Sequence, residues 1–269
     1  IVNYADLRRY NTIIIPSGGS LTKNNKTILT DWVKQGGTLI AHNGSVRALT
    51  SEEGVGNVKQ IQNSFDKSNN FNIDLQREIY ALSDEIDYES VLGNKVNTEI
   101  SYPWETSKKK LSQKELEDRD KWQSLFMPSG SFVGARTDQK HWLTFGSTEI
   151  LPVLYSNYPV LMTDKNSQAA VRIGEIIDSP ENNEVKVLNW STIPAGKDIN
   201  IRMSGLVWPE AAQRIANSAY VTRERLGSGQ VILFSGEPNF RGSTLGTNRL
   251  WLNAVVYGAG LGTSKKINL

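Results

Sequence analysis

The sequence predicts an α/β fold with a central, mostly parallel sheet. Three short apolar runs support this prediction: Thr12–Ile15, residues 38–41 and residues 231–234. Uninterrupted apolar runs of this length are typical of strands that are buried on both faces of a parallel sheet. Residues 22–35 carry apolar side chains at helical spacing, and Gly36-Gly37 ends that pattern. We therefore expect a right-handed βαβ unit, with the three runs lying parallel as central strands.

The C-terminal half is expected to add antiparallel strands to this sheet. Its apolar segments follow one another closely without long helices between them, which favours antiparallel pairing. The strands are predicted at residues 131–136, 160–163, 169–177, 185–190, 201–207 and 219–225. Leu226-Gly227-Ser228-Gly229 has the composition of a hairpin turn, Pro209 is placed to begin a short helix, and a last helix is expected over Leu245–Tyr257.

Residues 51–128 interrupt the pattern with polar sequence. Two helices are predicted inside it: residues 73–82, and a helix that starts at the capping box Ser112–Glu115 and runs through Trp122 and Phe126. The charged run around Lys108–Lys110 is typical of a solvated surface. Because most of this stretch lacks apolar periodicity, we expect a peripheral insertion in one domain spanning residues 1–269, mobile and removable at modest cost in stability.

The composition excludes several kinds of chemistry. The chain of 269 residues contains no cysteine, which excludes disulfides, thiolate nucleophiles and sulfur-ligated metals. A net charge of +2 gives no indication of nucleic acid or an anionic membrane as a partner. No apolar run approaches the roughly 18 residues that a membrane-spanning helix requires.

Three turns at strand ends resemble the active-site loops of class I glutamine amidotransferase-like domains, which have a flavodoxin-like, three-layer α/β fold. The loop Pro16-Ser17-Gly18-Gly19 is similar to the Pro-Gly-Gly loop that supplies backbone donors. The turn Ala41-His42-Asn43-Gly44 lies where the Cys-x-Gly nucleophile elbow of that family is expected. Glu237-Pro238-Asn239 stands where the family has His-Pro-Glu.

The resemblance implies a catalytic scaffold that has lost its catalytic residues. His42, Glu237 and Asn239 would occupy the positions of the nucleophile, base and orienting acid without forming a triad. The two arginines near the last helix are candidates for holding an anion at its N-terminus. The candidate binding residues are Gly18, Gly19, Asn43, Arg241 and Arg249.

A narrower resemblance links this chain to bacterial zinc carboxypeptidases of the carboxypeptidase A type. Residues 141–146, 204–210 and 227–258 are similar to the C-terminal region of those proteins, in which an amidotransferase-like domain follows the peptidase domain. The resemblance implies a zinc peptidase domain as partner, a periplasmic or secreted bacterial protein, and a first βα unit that is missing or lies upstream of Ile1. Neither His42 nor His141 begins the His-x-x-Glu pair of such enzymes, so zinc is expected only in the separate peptidase domain and no cofactor in this chain.

Three functions remain open from the sequence. The leading expectation is a non-catalytic accessory domain that packs on or regulates the peptidase domain, or binds another partner. The alternative is a small-molecule or glycan-binding module that uses the vacated pocket between Gly18, His42 and Glu237. Separately, Trp104 and Trp122 are the candidates for exposed stacking contacts with sugars, but the favoured role for both is to anchor the insertion to the sheet. A third is a hydrolase with a rebuilt His-Glu site. We expect His42 and Glu237 to lie close together at the carboxyl ends of adjacent strands, and the chain to hydrolyse nothing.

Overall fold

The structure, a computed structural model, describes residues 6–82 and 111–264. Lys108–Lys110 and Trp104 lie outside the described residues. The helices are α1 (Lys23–Lys34), α2 (Gly44–Leu49), α3 (Ser68–Leu82), α4 (Gln113–Ser124), α5 (Pro209–Ile215) and α6 (Leu245–Tyr257). None of the helices in the described ranges is both long enough and apolar enough to cross a bilayer.

Fourteen strands are formed by the described residues, and most belong to one mixed sheet. They are β1 (Thr12–Ile15), β2 (Thr38–His42), β3 (Lys59–Gln60), β4 (Ser131–Thr137), β5 (Ile150–Tyr155), β6 (Leu161–Met162), β7 (Ser167–Ile173), β8 (Glu175–Asp178), β9 (Lys186–Val187), β10 (Thr192–Ile193), β11 (Lys197–Asn200), β12 (Arg202–Ser204), β13 (Ala219–Leu226) and β14 (Gly229–Phe234). The main sheet runs β1-β2-β14-β13-β7-β4-β12, with β3, β5 and β6 pairing at its sides.

The predicted α/β fold and the parallel pairing of the three apolar runs are confirmed. β1 pairs in parallel with β2, and β2 pairs in parallel with β14. The remaining pairings in the main sheet are antiparallel, so the parallel part is confined to these three strands. The expectation that β1 is a central strand is wrong, because β1 ends the sheet among the described strands and Ile14 is exposed.

The two faces of β2 and β14 are covered by different helices, which gives three layers. Leu39 and Leu233 pack with Leu29 and Val33 of α1 on one face. Side chains that alternate with them along the strands, including Ile40 and Phe234, pack with Leu250 and Ala254 of α6 on the other face. The continuous apolar runs in the sequence follow from this double burial, since neither face of these strands meets water.

The expectation of a peripheral insertion is wrong for the described part of residues 51–128, which comprises residues 51–82 and 111–128. Ile61, Phe65, Phe71, Leu75 and Leu116 are buried in the larger core cluster together with residues of the sheet. β3 pairs with β6, so the segment also contributes to the main sheet. Long-range contacts supply the burial that local apolar periodicity did not reveal.

The capping box and the last helix are confirmed, whereas several predicted strands have other limits. Ser112 and Glu115 form a reciprocal capping box, but the helix ends at Ser124, before Phe126. The predicted strand 169–177 is broken at Gly174, whose φ of 97° separates β7 from β8. Residues 185–190 yield only β9, which pairs with β10 outside the main sheet.

Candidate functional site at the ends of β2 and β14

Two parallel strands place the candidate residues at one edge of the sheet. His42 ends β2 and is the register partner of Phe234, the last residue of β14. The next backbone amide, that of Asn43, donates to the carbonyl of Phe234 at 3.0 Å. Residues that follow the two strands therefore meet at their carboxyl ends, the edge where open α/β sheets form ligand sites.

The structure brings His42, Asn43 and Glu237 together. Nδ1 of His42 lies 3.2 Å from Oε1 of Glu237, although the approach is too oblique for an aligned hydrogen bond and Nδ1 has no other partner among the described residues. Nδ2 of Asn43 donates to Oε2 of the same carboxylate at 3.2 Å. The ring of Trp251 meets the imidazole edge to face at a centroid distance of 5.3 Å. Glu237 thus lies between an imidazole and an amide at this edge.

The strained residue of the strand-to-helix turn is Asn43. Its φ of 52° and ψ of −122° lie in a region that residues other than glycine rarely adopt, and α2 begins at the next residue. A nucleophile elbow exposes its central side chain by this kind of strained turn. The expectation that His42 occupies the elbow position is therefore wrong, since His42 still belongs to β2 and Asn43 makes the turn.

The glycine loop after β1 lies beside this turn, as the resemblance implies. A β-carbon on Gly44 would come 3.3 Å from the amide nitrogen of Gly18, so the two backbones approach closely. Gly18 has a φ of 83°, and Gly19 closes the loop by donating its amide to the carbonyl of Pro16. Ser45 lies beneath, fully buried, and its hydroxyl faces the carbonyls of Ile15 and His42 at 3.1 and 2.9 Å.

Tyrosines form the floor under Glu237. Gly236 packs so closely on Tyr158 that a β-carbon there would lie 2.6 Å from the ring. Burial raises the pKa of Tyr158, and the charge of Glu237 raises it further. Burial also raises the pKa of Tyr220, whose hydroxyl is buried without a partner among the described residues. The floor is therefore neutral and does not offer Glu237 a cation.

The other candidates do not join this group. Asn239 is exposed, does not cap the turn that follows it, and makes no described contact with His42, so it does not act as an orienting acid there. Arg241 extends over the ring of its neighbour Phe240 at 5.0 Å. Arg249 is exposed and lies against Gly146. The two arginines therefore do not form a single anion site with His42.

Neither Asn43 nor Ser45 supplies this arrangement with a nucleophile. An amide side chain at the elbow does not attack an acyl group, and the Ser45 hydroxyl is fully buried against two carbonyls. Within the described ranges, no three His, Cys, Asp or Glu side chains cluster in a way that could hold a metal ion. The imidazole, amide and carboxylate together can bind a polar group by hydrogen bonds.

No local pattern in the sequence predicted the tyrosine floor or the contact of Trp251 with His42. The ring of Trp251 is partly buried and lies edge to face against the imidazole. Tyr158 follows β5, a strand that was not predicted, so no local pattern indicated its role.

Comparisons with known proteins give distant structural likenesses only. No family model matches the chain, and no curated protein matches it. Among solved structures, the cytoplasmic protein STM3548 of Salmonella typhimurium is 11% identical with a TM-score of 0.40 over 95% of this chain and 77% of its own. The cytoplasmic protein STM1381 of Salmonella typhimurium LT2 is 12% identical with a TM-score of 0.37, over 93% of this chain and 72% of its own. A ThuA-like protein of Bacteroides uniformis is 13% identical with a TM-score of 0.40, over 94% of this chain and 72% of its own. These likenesses extend along nearly the whole chain without assigning it a function.

Proposed function

We propose that this chain is a non-catalytic, amidotransferase-like accessory domain that docks on a protein partner through α6. The observation that supports the proposal is an apolar stripe on the outer face of this helix. Leu245, Leu252 and Val256 are 76%, 49% and 65% exposed. Their spacing of seven and four residues places them on one side of the helix. Large apolar side chains that are grouped on the surface of a folded protein are typical of an interaction site.

An exposed aromatic pair lies to one side of the stripe. Phe145 lies beside Tyr257 at a ring centroid distance of 6.4 Å, and both are exposed. Arg249 lies between Leu245 and Leu252 in the same row and is also exposed. A partner that covers this surface would present an apolar groove with a carboxylate near Arg249, as helix-in-groove interfaces do.

The partner proposed is a zinc peptidase domain of the same protein, on the resemblance of residues 204–210 and 227–258 to the C-terminal region of zinc carboxypeptidases. The stripe lies within the second of these tracts. The absence of a nucleophile at Asn43 supports a role in packing or regulation over a catalytic one.

Site-specific photo-crosslinking in the source organism tests the partner. A benzophenone side chain at position 256 is expected to cross-link to a zinc peptidase domain, either within one polypeptide or between two, and peptide mapping locates the linked residues. The additional substitution Leu252→Glu should remove that cross-link. Glu52, which is exposed and lies outside the stripe, provides the matched control position. An adduct with a second copy of this chain, or equal adducts from positions 52 and 256, would contradict the proposed partner.

Turnover measurements test the non-catalytic part separately. The purified chain is expected to show no glutaminase, esterase or carboxypeptidase activity above that of His42→Ala and Glu237→Gln. Activity that disappears in either variant would show a rebuilt His-Glu site.

Glycan binding is a second candidate, favoured by one surface. Trp122 and Trp208 are 57% and 50% exposed and flank Phe126, with edge-to-face contacts at 5.0 and 6.4 Å. Exposed aromatic rings can stack on sugar faces. If the domain binds glycans here, both Trp122→Ala and Trp208→Ala should abolish retention on a polysaccharide column, while Leu252→Glu should not.

A further inference from the structure

A second polar site lies in a cavity of about 270 Å³ far along the sheet from β2. Arg136 on β4 and Arg172 on β7 line it, together with Glu78 near the end of α3. The two arginines are direct register partners on neighbouring antiparallel strands. Like charges directly opposite each other destabilise a sheet unless something compensates them.

The charge of Arg172 is compensated within the chain. Its Nε and Nη2 donate to the two carboxylate oxygens of Glu78 at 2.7 Å each, and Nη1 and Nη2 also donate to the carbonyl of Asn217 and the hydroxyl of Thr163. Burial alone would raise the pKa of Glu78, but the charge and hydrogen bonds of Arg172 outweigh it and lower that pKa. Glu78 is therefore an anion fully engaged by Arg172.

Arg136 has only neutral partners. Its Nη1 donates to the carbonyls of Ile173 and Gly174 at 3.4 and 2.9 Å, and its Nη2 donates to the side-chain oxygen of Asn217 at 2.9 Å. No carboxylate of the described residues forms an ion pair with it, and its Nε–H and second Nη2–H make no described hydrogen bond. Burial and the charge of Arg172 lower the pKa of Arg136 to about 10, and the charge of Glu78 only partly opposes that shift.

The cavity beside Arg136 is partly apolar. Its apolar wall, beside the guanidinium of Arg136, consists of Ile79, Ile150, Ala169 and Ile176. Its volume corresponds to roughly nine water molecules at about 30 Å³ each, which is smaller than the sites of drug-sized ligands. Four further charged residues line the cavity: Asp138, Lys140, Glu149 and Lys197. Lys197 pairs with Asp178 at 2.6 Å, and Asp138 accepts a hydrogen bond from the backbone amide of Lys140.

We propose that this cavity binds a small organic acid, whose carboxylate pairs with the Nε–Nη2 edge of Arg136 and whose apolar body rests on Ile79, Ile150 and Ile176. The guanidinium edge matches the two oxygens of a carboxylate, and the anion gives Arg136 the direct ion pair that no carboxylate of the described residues makes with it. The site is independent of the His42 group and of the α6 stripe.

Calorimetric titration of the full chain with benzoate tests the proposal. One benzoate is expected to bind per chain, while benzamide, which has the same shape and no charge, binds at least about tenfold more weakly. Arg136→Gln should lower benzoate affinity by at least about tenfold. The control Arg225→Gln removes an exposed arginine of β13 and should leave binding unchanged.

A second variant separates binding from folding. Arg136→Gln also removes hydrogen bonds to three neighbouring residues, so a loss of binding in this variant could come from altered folding. Ile176→Trp avoids this problem because it fills the cavity without changing its charge. It should abolish benzoate binding while leaving the circular dichroism spectrum unchanged. Equal affinity for benzoate and benzamide, unchanged affinity in Arg136→Gln, or no saturable binding up to roughly 10 mM would overturn the proposal. Inorganic phosphate that displaces benzoate at lower concentration would overturn the organic-acid assignment in favour of a simple anion site.

Discussion

At the scale of single residues, Asn43 and Glu224 show two ways in which the surrounding chain fixes the position of a polar residue. Asn43 keeps an unfavourable backbone conformation, and its amide hydrogen-bonds Glu237. Glu224 is buried on β13 and accepts bonds from the backbone and side chain of Asn57 and from the backbone of Val58. In each case the surrounding chain determines the conformation.

Glu224 makes stability depend on pH. Burial raises its pKa above the usual 4.5, although the bonds from Asn57 and Val58 oppose that shift. A carboxyl group whose pKa is raised in the folded state contributes stability that is present below its unfolded pKa and is lost as the pH rises through the folded pKa. We therefore expect the free energy of unfolding of the protein, relative to that of Glu224→Gln, to fall as the pH rises above the ordinary glutamate range.

Urea unfolding of both chains between about pH 4 and pH 8 measures this difference. A difference that stays constant, or one that grows with pH, would show that Glu224 does not titrate with a raised pKa.

At the scale of elements, a buried ion pair joins α4 to α5. Nε and Nη2 of Arg214 donate to the two oxygens of Asp120 at 2.7 and 3.1 Å, and both side chains are almost fully buried. The sequence indicated both helices correctly, through a capping box and Pro209 at the first position. The pairing between them could not be predicted, because Asp120 and Arg214 are 94 residues apart.

Asp120→Ala should lower the free energy of unfolding by about 3–5 kcal/mol, because it leaves Arg214 buried without a counter-charge. Denaturant unfolding measures the change. On the same helix, Asp118 makes an exposed ion pair with Lys121, so Asp118→Ala should change stability by less than about 0.5 kcal/mol. Similar losses of stability in the two variants would show that the buried Asp120–Arg214 pair contributes no more to stability than the exposed Asp118–Lys121 pair.

At the scale of the whole molecule, the described parts of the polar stretch, residues 51–82 and 111–128, contribute side chains to the core that supports the sheet. A chain from which these residues are removed is expected to lose cooperative unfolding, because it lacks Ile61, Phe65, Phe71, Leu75 and Leu116. Truncation of one such side chain lowers the free energy of unfolding by about 2–5 kcal/mol, and the total free energy of unfolding of a domain is only about 5–15 kcal/mol.

Thermal and urea unfolding followed by circular dichroism test this expectation. Phe71→Ala should lower stability by about 3–5 kcal/mol, whereas Asn70→Ala, at an exposed neighbouring position, should stay within about 0.5 kcal/mol. If the shortened chain unfolds cooperatively, with a midpoint of unfolding near that of the full chain, these residues are a peripheral insertion and the prediction is wrong.

The sequence by itself determined the parts of this protein that depend on neighbouring residues. Continuous apolar runs gave the three parallel strands, Leu226-Gly227-Ser228-Gly229 gave the hairpin between β13 and β14, and local spacing gave α6. The proximity of His42 and Glu237 followed as well, since both leave parallel strands at the same edge.

Only the tertiary structure decided which side chains share a site and which segments share the core. Asn43 makes the strained turn directly after β2, and its backbone amide donates to the carbonyl of Phe234 on the neighbouring strand β14, which is distant in sequence. Phe71 and Leu116 enter the core, and Arg136 lies opposite Arg172, through contacts between distant parts of the chain. Local pattern carries information on a residue's own strand or helix, whereas burial and charge compensation depend on partners brought together only when the chain folds.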